Sequence, residues 1–435
     1  MRLEKRSDPL TRHRSDIMTH HIGFVSTRLA GTDGVSLETL KWSNTLATMD
    51  CECFCFAGEA DWAADRRYVV PEAHFNAPDV LSVNNDLFGD STRTRETSNT
   101  VQRLKEHLKD HLYKFIKQFD INILIAENAL SIPMNIPLGL ALAEVIAETG
   151  IPTIGHHHDF SWERSRFAIG AAADYLRAAF PPTFSSIHHV VINSFASHQL
   201  ALRTGVASVT LIPNVMDFHH PPQVDDYSND VRQVLGIKDD AYFLLQPTRI
   251  VPRKRIEQAI DLARRLGDKA VLVISHSAGD EGMGYKHFLE DYAKAMQVRV
   301  IFAEAHFGYQ RGVDKNGTKI FSLEDAYQAA DIVTYPSTVE GFGNAFLETV
   351  YYKRPIVMGT YEIFKTDIEP KGFQVINFEE FVTYETVNRV RDLLEHPKKV
   401  SKIVKENYEL GRKYYSYHQL AEQLKPLINS MVGRE

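Results

Sequence analysis

The strongest constraint on this chain is a hydrophobic period that keeps changing. From His21 almost to the end, short apolar runs alternate with stretches whose apolar residues recur at helical spacing. That alternation is the mark of βαβ units and parallel sheets. A first series reads HIGFVSTRLA, CECFCFAG, INILIAENA, IPTIGHHH and HHVVINS; a second reads AYFLLQP, AVLVIS, VRVIFAE, DIVTYPS and RPIVMGT. Between them, VTLIPNVMDFHHPPQVDDYSND is rich in Pro, Asp and Asn and has little period, which puts a domain boundary near Phe218. The expected architecture is α/β, with two parallel-sheet domains over residues 20–218 and 219–408 facing across a cleft. A helical segment, 409–435, is expected to cross back to the first domain. The 435 residues suit two such domains of roughly 200 each.

A formal net charge of −7 offers no global attraction for nucleic acid or an anionic membrane, so any phosphate-bearing ligand must be held by a local cluster of cations. No apolar run reaches the roughly 18 to 20 residues of a spanning helix, and the start lacks the apolar core of a secretory signal. A soluble, cytoplasmic protein is expected, with residues 1–19 a poorly ordered leader. Cys51, Cys53 and Cys55 share one face of a strand. Side chains that point in parallel do not converge on a metal, so buried small hydrophobes are expected there.

In open α/β sheets, ligands bind outside the carboxyl ends of the strands. Several such ends carry chemistry. QPTRIVPRKRIEQAI sets Arg249 and Lys254 on the loop before a helix, where side-chain charge adds to free backbone N–H groups to suit a diphosphate. EGFGNAFLE places Gly341 and Gly343 where backbone can approach a ligand, with the amides of Phe342, Gly343 and Asn344 at a helix start. Its glutamates, Glu340 and Glu348, would lie about 12 Å apart on a helix. That exceeds the ~5 to 9.5 Å of a glycosidase pair, so two separate contacts on one long ligand fit better. PTIGHHHDFSW ends a strand in three histidines, of which at most two share a face. LAGTDGVSLETL brings Gly31, Asp33 and Gly34 to the cleft, facing donor phosphate or acceptor. AENALSIPMNIPLG offers Asn128 and Asn135 to an acceptor, or to helix capping.

Taken together, Arg249, Lys254 and the spacing of Glu340 to Glu348 resemble the donor site of the GT4 family of retaining, nucleotide-sugar-dependent glycosyltransferases with the GT-B fold. The second half resembles that family closely and the first half in outline. The resemblance implies that Arg249 and Lys254 hold the donor diphosphate, that Glu340 and the amides of GFGN meet the sugar hydroxyls, and that Glu348 meets the ribose. It also implies a histidine beside the donor sugar. His158 matches best and His157 is the runner-up, because the register of the strand end after His156 is open. The paired glycines of the family's first loop are split here by Thr32 and Asp33, and ISHSAGDEGMGYKHF replaces its short Gly turn.

The resemblance thus implies a hexosyltransferase that moves glucose or mannose from a UDP-sugar or GDP-sugar to a small polar metabolite or soluble glycan, with retention. No metal is obligatory, magnesium being compatible but not required, and neither nucleic acid nor an integral membrane contact is expected. Oligomeric state is open. Two alternatives use the same fold: a sugar-nucleotide epimerase, and a non-catalytic nucleotide-sugar binding protein. A nicotinamide dehydrogenase fits less well, since neither half shows a GxGxxG turn followed by an acidic residue.

Overall fold

The strand order in each half reverses at one point, and the loops that leave those two points carry Gly31, Gly34, Arg249 and Lys254. The computed structural model describes residues 20–31, 33–206, 208–223, 225–278, 283–315 and 317–432; the expected leader, 1–19, lies outside them. The first sheet holds β1 (His20–Val25), β2 (Cys51–Ala57), β3 (Arg67–Val69), β4 (Ile123–Glu127), β5 (Thr153–His157), β6 (Ile187–Val191) and β7 (Val209–Leu211), all parallel, in the order β3-β2-β1-β4-β5-β6-β7. The second holds β8 (Tyr242–Gln246), β9 (Ala270–Ile274) and β10 (Arg299–Phe302). A small antiparallel hairpin, β11 (Gly312–Val313) and β12 (Lys319–Ile320), intervenes before β13 (Ile332–Tyr335), β14 (Ile356–Gly359) and β15 (Ile376–Phe378). The second order, β10-β9-β8-β13-β14-β15, is again all parallel. The switch points are therefore β1/β4 and β8/β13, and the crevice each one opens is the ordinary ligand address of such sheets.

The long strands are those that periodicity showed. β3, β7 and β15 were not anticipated, because three residues are too few to display a period. β7 lies in the stretch taken for linker, where VTL pairs with β6 at the sheet edge. The cysteines are free and buried on β2. Burial pushes the Cys51 thiol up to about 11 and Cys53 and Cys55 to about 12, so they act as inert core groups.

Two chain crossings join the halves side by side. After β7 the chain passes Met216 and Phe218; near the end, the helix Pro397–Tyr414 stops at Tyr415, and a second helix, Tyr417–Val432, turns back. The Met216 amide donates to the Tyr415 carbonyl at 2.9 Å, and the Tyr408 hydroxyl to the Phe218 carbonyl at 2.9 Å. The returning helix puts Leu420, Leu424, Leu427, Ile428 and Met431 into one apolar cluster with Ile22, Phe24, Trp42 and the three cysteines. Burial of that order, at about 25 cal/mol per Å², ties the C-terminus to the first sheet. Gly411 is what lets the preceding helix approach the linker: a Cβ there would lie 2.5 Å from the Phe218 ring.

β5 shows the strand alternation directly. His156 and His158 face one side, while His157 faces the other and meets His189 of β6, Nε2 to Nδ1, at 2.9 Å. Both members of that pair are buried. Burial, then the neighbouring imidazole, pushes His157 far below its ordinary value; burial, then His188, pushes His189 down to about 4.

Two outcomes are expected. Gly411→Ala should overpack the crossing and cost about 1–3 kcal/mol, read as a lower midpoint in chemical or thermal denaturation with the secondary structure retained. The buried neutral histidines bind fewer protons in the native state than in the unfolded state. Stability is then complete above about pH 6.5 and falls as pH drops toward 4, on the order of 3 kcal/mol for His189. Tm measured across that window should decline, and the double replacement His157→Leu, His189→Leu should flatten the slope.

Candidate active site

On the first-half side, β4 ends in Glu127 and β5 in the histidines, and the loop between is built to hold them. Asn128 takes a left-handed backbone (φ 56°). Its Oδ1 accepts from the His158 amide at 2.8 Å and from Ser131 Oγ at 3.1 Å, and its Nδ2 donates to Asp159 at 3.0 Å. Glu127 is fully buried. Its carboxylate meets His156 Nδ1 at 2.9 Å and His158 Nε2 at 2.9 Å. Trp42 stacks on His156 with ring centroids 4.1 Å apart, closing the trio from the helix Gly34–Ala47. Of the three, only His158 keeps exposed side-chain surface, 9%. Burial favours a neutral Glu127, but the His156 and His158 charges outweigh it and hold the carboxyl at about 2. Burial likewise opposes a charged His158, and Glu127 outweighs it, so His158 is raised; His156 is lowered by burial.

On the second-half side, β8 runs into Arg249, which is exposed, and a 3-10 turn, Pro252–Lys254, that ends in a buried lysine. Lys254 Nζ is in close contact with Glu340, its ring neighbour being Tyr335 at 5.3 Å. Arg253 lies 3.5 Å from the same carboxylate. Burial would protonate Glu340, but Lys254 and Arg253 hold it below the usual carboxylate range. Glu348 is different: burial raises it, and its Oε2 accepts from the Tyr327 hydroxyl at 2.8 Å. The loop between them needs Gly343, whose φ is +108° and whose missing Cβ would lie 2.1 Å from Tyr361 Oη. It leads into the helix Asn344–Tyr351. Among the described residues, no acceptor meets the N–H groups of Phe342, Gly343 or Asn344. The Phe342 ring points away from the cleft onto Tyr415.

The two sides meet. A Cβ on Gly34 would lie 3.3 Å from Asn344 Nδ2, so the helix beginning at Gly34 and the helix beginning at Asn344 face each other start to start. A Cβ on Gly341 would lie 3.3 Å from the His158 carbonyl. Asn193 donates to the Gly341 carbonyl at 2.6 Å, Asn214 to Asn344 Oδ1 at 2.6 Å, and Ser194 N to Asp367 at 2.7 Å. Arg249, Lys254, Glu340, Gly341, Gly343, Asn344, Gly34 and His158 are thus gathered around one cleft, where two positive helix ends reinforce the cations.

Other expected residues have different work. Asp33, expected at the acceptor, caps the helix Gly34–Ala47 by accepting from Val35 and Ser36 amides, and it also pairs with Arg28 at 3.1 Å. Asn135 caps the helix Ile136–Thr149 and donates to the Glu72 and Ala73 carbonyls, all while buried. Asn128 is consumed in tethering His158. These three therefore present no spare polar atom to an acceptor, because helix starts and strand-end loops take up short polar side chains. Gly31, with φ +77°, donates to Asp61 at 2.7 Å, which fixes the loop from outside. His157 is turned away into its pair with His189.

Several groups escaped sequence reasoning. Glu127 reads as an ordinary strand residue unless its position at the switch point is noticed. Asn193 and Asn214 look like caps or linker. His276, after β9, lies near the cations: burial, then Arg249 and Lys254, push it down to about 4, and the Ile250 amide ties the neighbouring Ser277 carbonyl at 3.0 Å. The Glu127, His156 and His158 side chains bring ligand-type atoms within 4.8 Å of one another. Those atoms already satisfy each other, and the outer nitrogen of His156 lacks the acceptor that a metal-bound imidazole ordinarily keeps. The trio is a hydrogen-bonded ionic group.

Comparison with known proteins agrees with this geometry. Residues 228–410 match the family model for glycosyl transferases group 1. The mannosylglucosylglycerate synthase of Petrotoga mobilis is 33% identical over 394 residues, covering 84% of this chain and 88% of the relative. That of Thermotoga maritima is 31% identical over 428 residues, covering 90% and 96%. Among solved structures, Anabaena HepE in complex with UDP-glucose superposes with a TM-score of 0.64 at 14% identity, over 94% of this chain and 99% of that one. Sucrose-phosphate synthase from Thermosynechococcus elongatus gives 0.65 at 14% identity, over 96% and 100%. At such identities the structures speak for the fold alone, two parallel-sheet domains of the GT-B type. The chain belongs to the group 1, GT4-type glycosyltransferases and is a hexosyltransferase.

Proposed function

We propose that this hexosyltransferase moves mannose from a nucleoside diphosphate, GDP-mannose before the UDP-sugars, to a hydroxyl of a glucosylglycerate-type acceptor, with retention at the anomeric carbon. The sugar and acceptor are suggested by what the two curated relatives are called. The observation that carries the reading is the pair of helix starts at Gly34 and Asn344, set start to start beside Arg249 and Lys254. Positive ends and cations in one cleft suit a diphosphate whose charge grows as the sugar leaves.

In this reading Arg249 and Lys254 bind the diphosphate. Lys254 shares its charge between the phosphate and Glu340, so Glu340 keeps it in place before the donor arrives. Glu340 and the amides of Phe342, Gly343 and Asn344 meet the sugar hydroxyls, Glu348 the ribose, and Gly34 the diphosphate from the opposite side. His158 lies beside the sugar. As the anomeric C–O bond breaks, the electron pair goes to the phosphate. The acceptor hydroxyl attacks from the same face, and its proton passes to the leaving phosphate oxygen. Closure of the two halves keeps water from taking the acceptor's place. The protein cations supply the charge a metal would otherwise bring, so magnesium is not required. No helix among the described residues is long and apolar enough to cross a membrane, and we place the enzyme with its donor in the cytoplasm.

The test is transfer assayed with GDP- and UDP-linked mannose and glucose, glucosylglycerate as acceptor, with and without EDTA, and the product anomer read by NMR. An α-mannoside is expected. Arg249→Ala should lower kcat/KM on the order of 10²-fold or more. Glu348→Gln should raise donor KM with a smaller change in kcat, since a ribose contact is equal in ground and transition states. Hydrolysis without transfer, or an inverted product, would overturn the reading.

A further inference from the structure

The buried carboxylate behind the cleft histidine has a task of its own. Glu127 is 0% exposed and has no lysine or arginine partner among the described residues; its charge is met by two imidazoles. A carboxylate in such a place is costly unless a cation and hydrogen bonds compensate it. His156 cannot be that cation. Its Nδ1 is spent on Glu127, its Nε2 is buried without a partner, and Trp42 covers its face. A second proton on Nε2 would leave a charged donor facing nothing. The compensating charge falls to His158, the one member with an exposed edge.

The geometry also fixes which edge. His158 Nε2 is tied back to Glu127 at 2.9 Å, and the His158 amide is held by Asn128 Oδ1 at 2.8 Å, so neither the ring nor its backbone is free to turn. Nδ1 is the ring nitrogen left without a partner among the described residues. We propose that Glu127 is a positioning residue that keeps His158 as an imidazolium at neutral pH, with Nδ1–H offered to the cleft as a charged hydrogen-bond donor. The inference deepens the proposed function and rests on it for the identity of the group that receives the bond, an oxygen of the transferred hexose or of the acceptor.

The charged and titratable groups around His158 support this sign. Glu127 comes from β4, Glu38 from the helix Gly34–Ala47, and Asp159, His156 and His157 from its own strand and loop. The second half brings only backbone, Gly341, against the His158 carbonyl. Carboxylates outnumber the charges opposing protonation, because His156 and His157 are neutral in their buried places. Glu38 is itself engaged by Lys41 at 2.9 Å, which leaves Glu127 as the carboxylate in direct contact.

The experiment is an NMR titration of histidine-labelled protein, with His158 assigned by its absence in His158→Gln, alongside the pH profile of transfer for wild type and Glu127→Gln. In wild type, His158 should titrate above the ordinary histidine range, and the alkaline limb of kcat/KM should follow it. In Glu127→Gln, the titration and the limb should both move down by at least one pH unit. Transfer should fall on the order of 10-fold to 100-fold at pH 8, and the deficit should shrink toward pH 5.5 as His158 regains its proton. A wild-type His158 that titrates at or below the ordinary value would overturn the inference without any variant. So would a loss in Glu127→Gln that is uniform with pH, or stoichiometric metal in the purified protein that disappears in Glu127→Gln. Absence of transfer from every donor, with His158 still titrating high, would count against the proposed function and leave the inference standing.

Discussion

Everything at the cleft depends on two helix starts brought face to face at contact distance. The Gly34 and Gly341 positions admit no larger residue without pushing against Asn344 and the His158 carbonyl. That approach is possible because both sheets reverse at their first strand, β1 and β8, and so deliver their loops to the same crevice. Each helix start contributes a fraction of a positive charge and up to about 2 kcal/mol toward an anion in a partly buried place. The sum, with Arg249 and Lys254, is a local positive field in a chain whose net charge is −7.

Such a field must be held before the ligand comes. Lys254 is buried, and without Glu340 its ammonium would be an isolated charge in an apolar setting. The first half repeats the solution with a different cation: Glu127 and His158 stand where Glu340 and Lys254 stand opposite. Each half thus carries a buried carboxylate that sets the charge of its neighbour at the cleft. The double crossing at Met216 and Tyr415 keeps these two sets in register while leaving the halves joined along one narrow seam.

Much of this was legible in the sequence, and what was not has physical reasons. Long strands showed themselves by period, and Arg249, Lys254 and the glycine loop by sitting at strand ends before helices. His158 was preferred over His157 by counting, and the alternation of β5 turns His157 into a buried pair with His189. Asp33, Asn128 and Asn135 were misread as acceptor groups because a capping or tethering side chain and a substrate-binding one look alike in sequence; only the partners tell them apart. Glu127 was missed because its meaning comes from β5, a strand 29 residues away from it at His156. Asn193 and Asn214 act across the cleft, a relation that no local pattern carries.

The central claim is that the diphosphate of a nucleotide sugar is bound between these helix starts and cations. Calorimetric titration of GDP, GMP and guanosine, with the uridine series beside them, into wild type and Arg249→Ala measures it most directly. The account predicts that affinity rises steeply from nucleoside to diphosphate, weakens with salt, and drops tenfold or more for the diphosphate in the variant while nucleoside affinity is unchanged. Equal affinity for nucleoside and diphosphate, or a diphosphate affinity indifferent to Arg249, would contradict it.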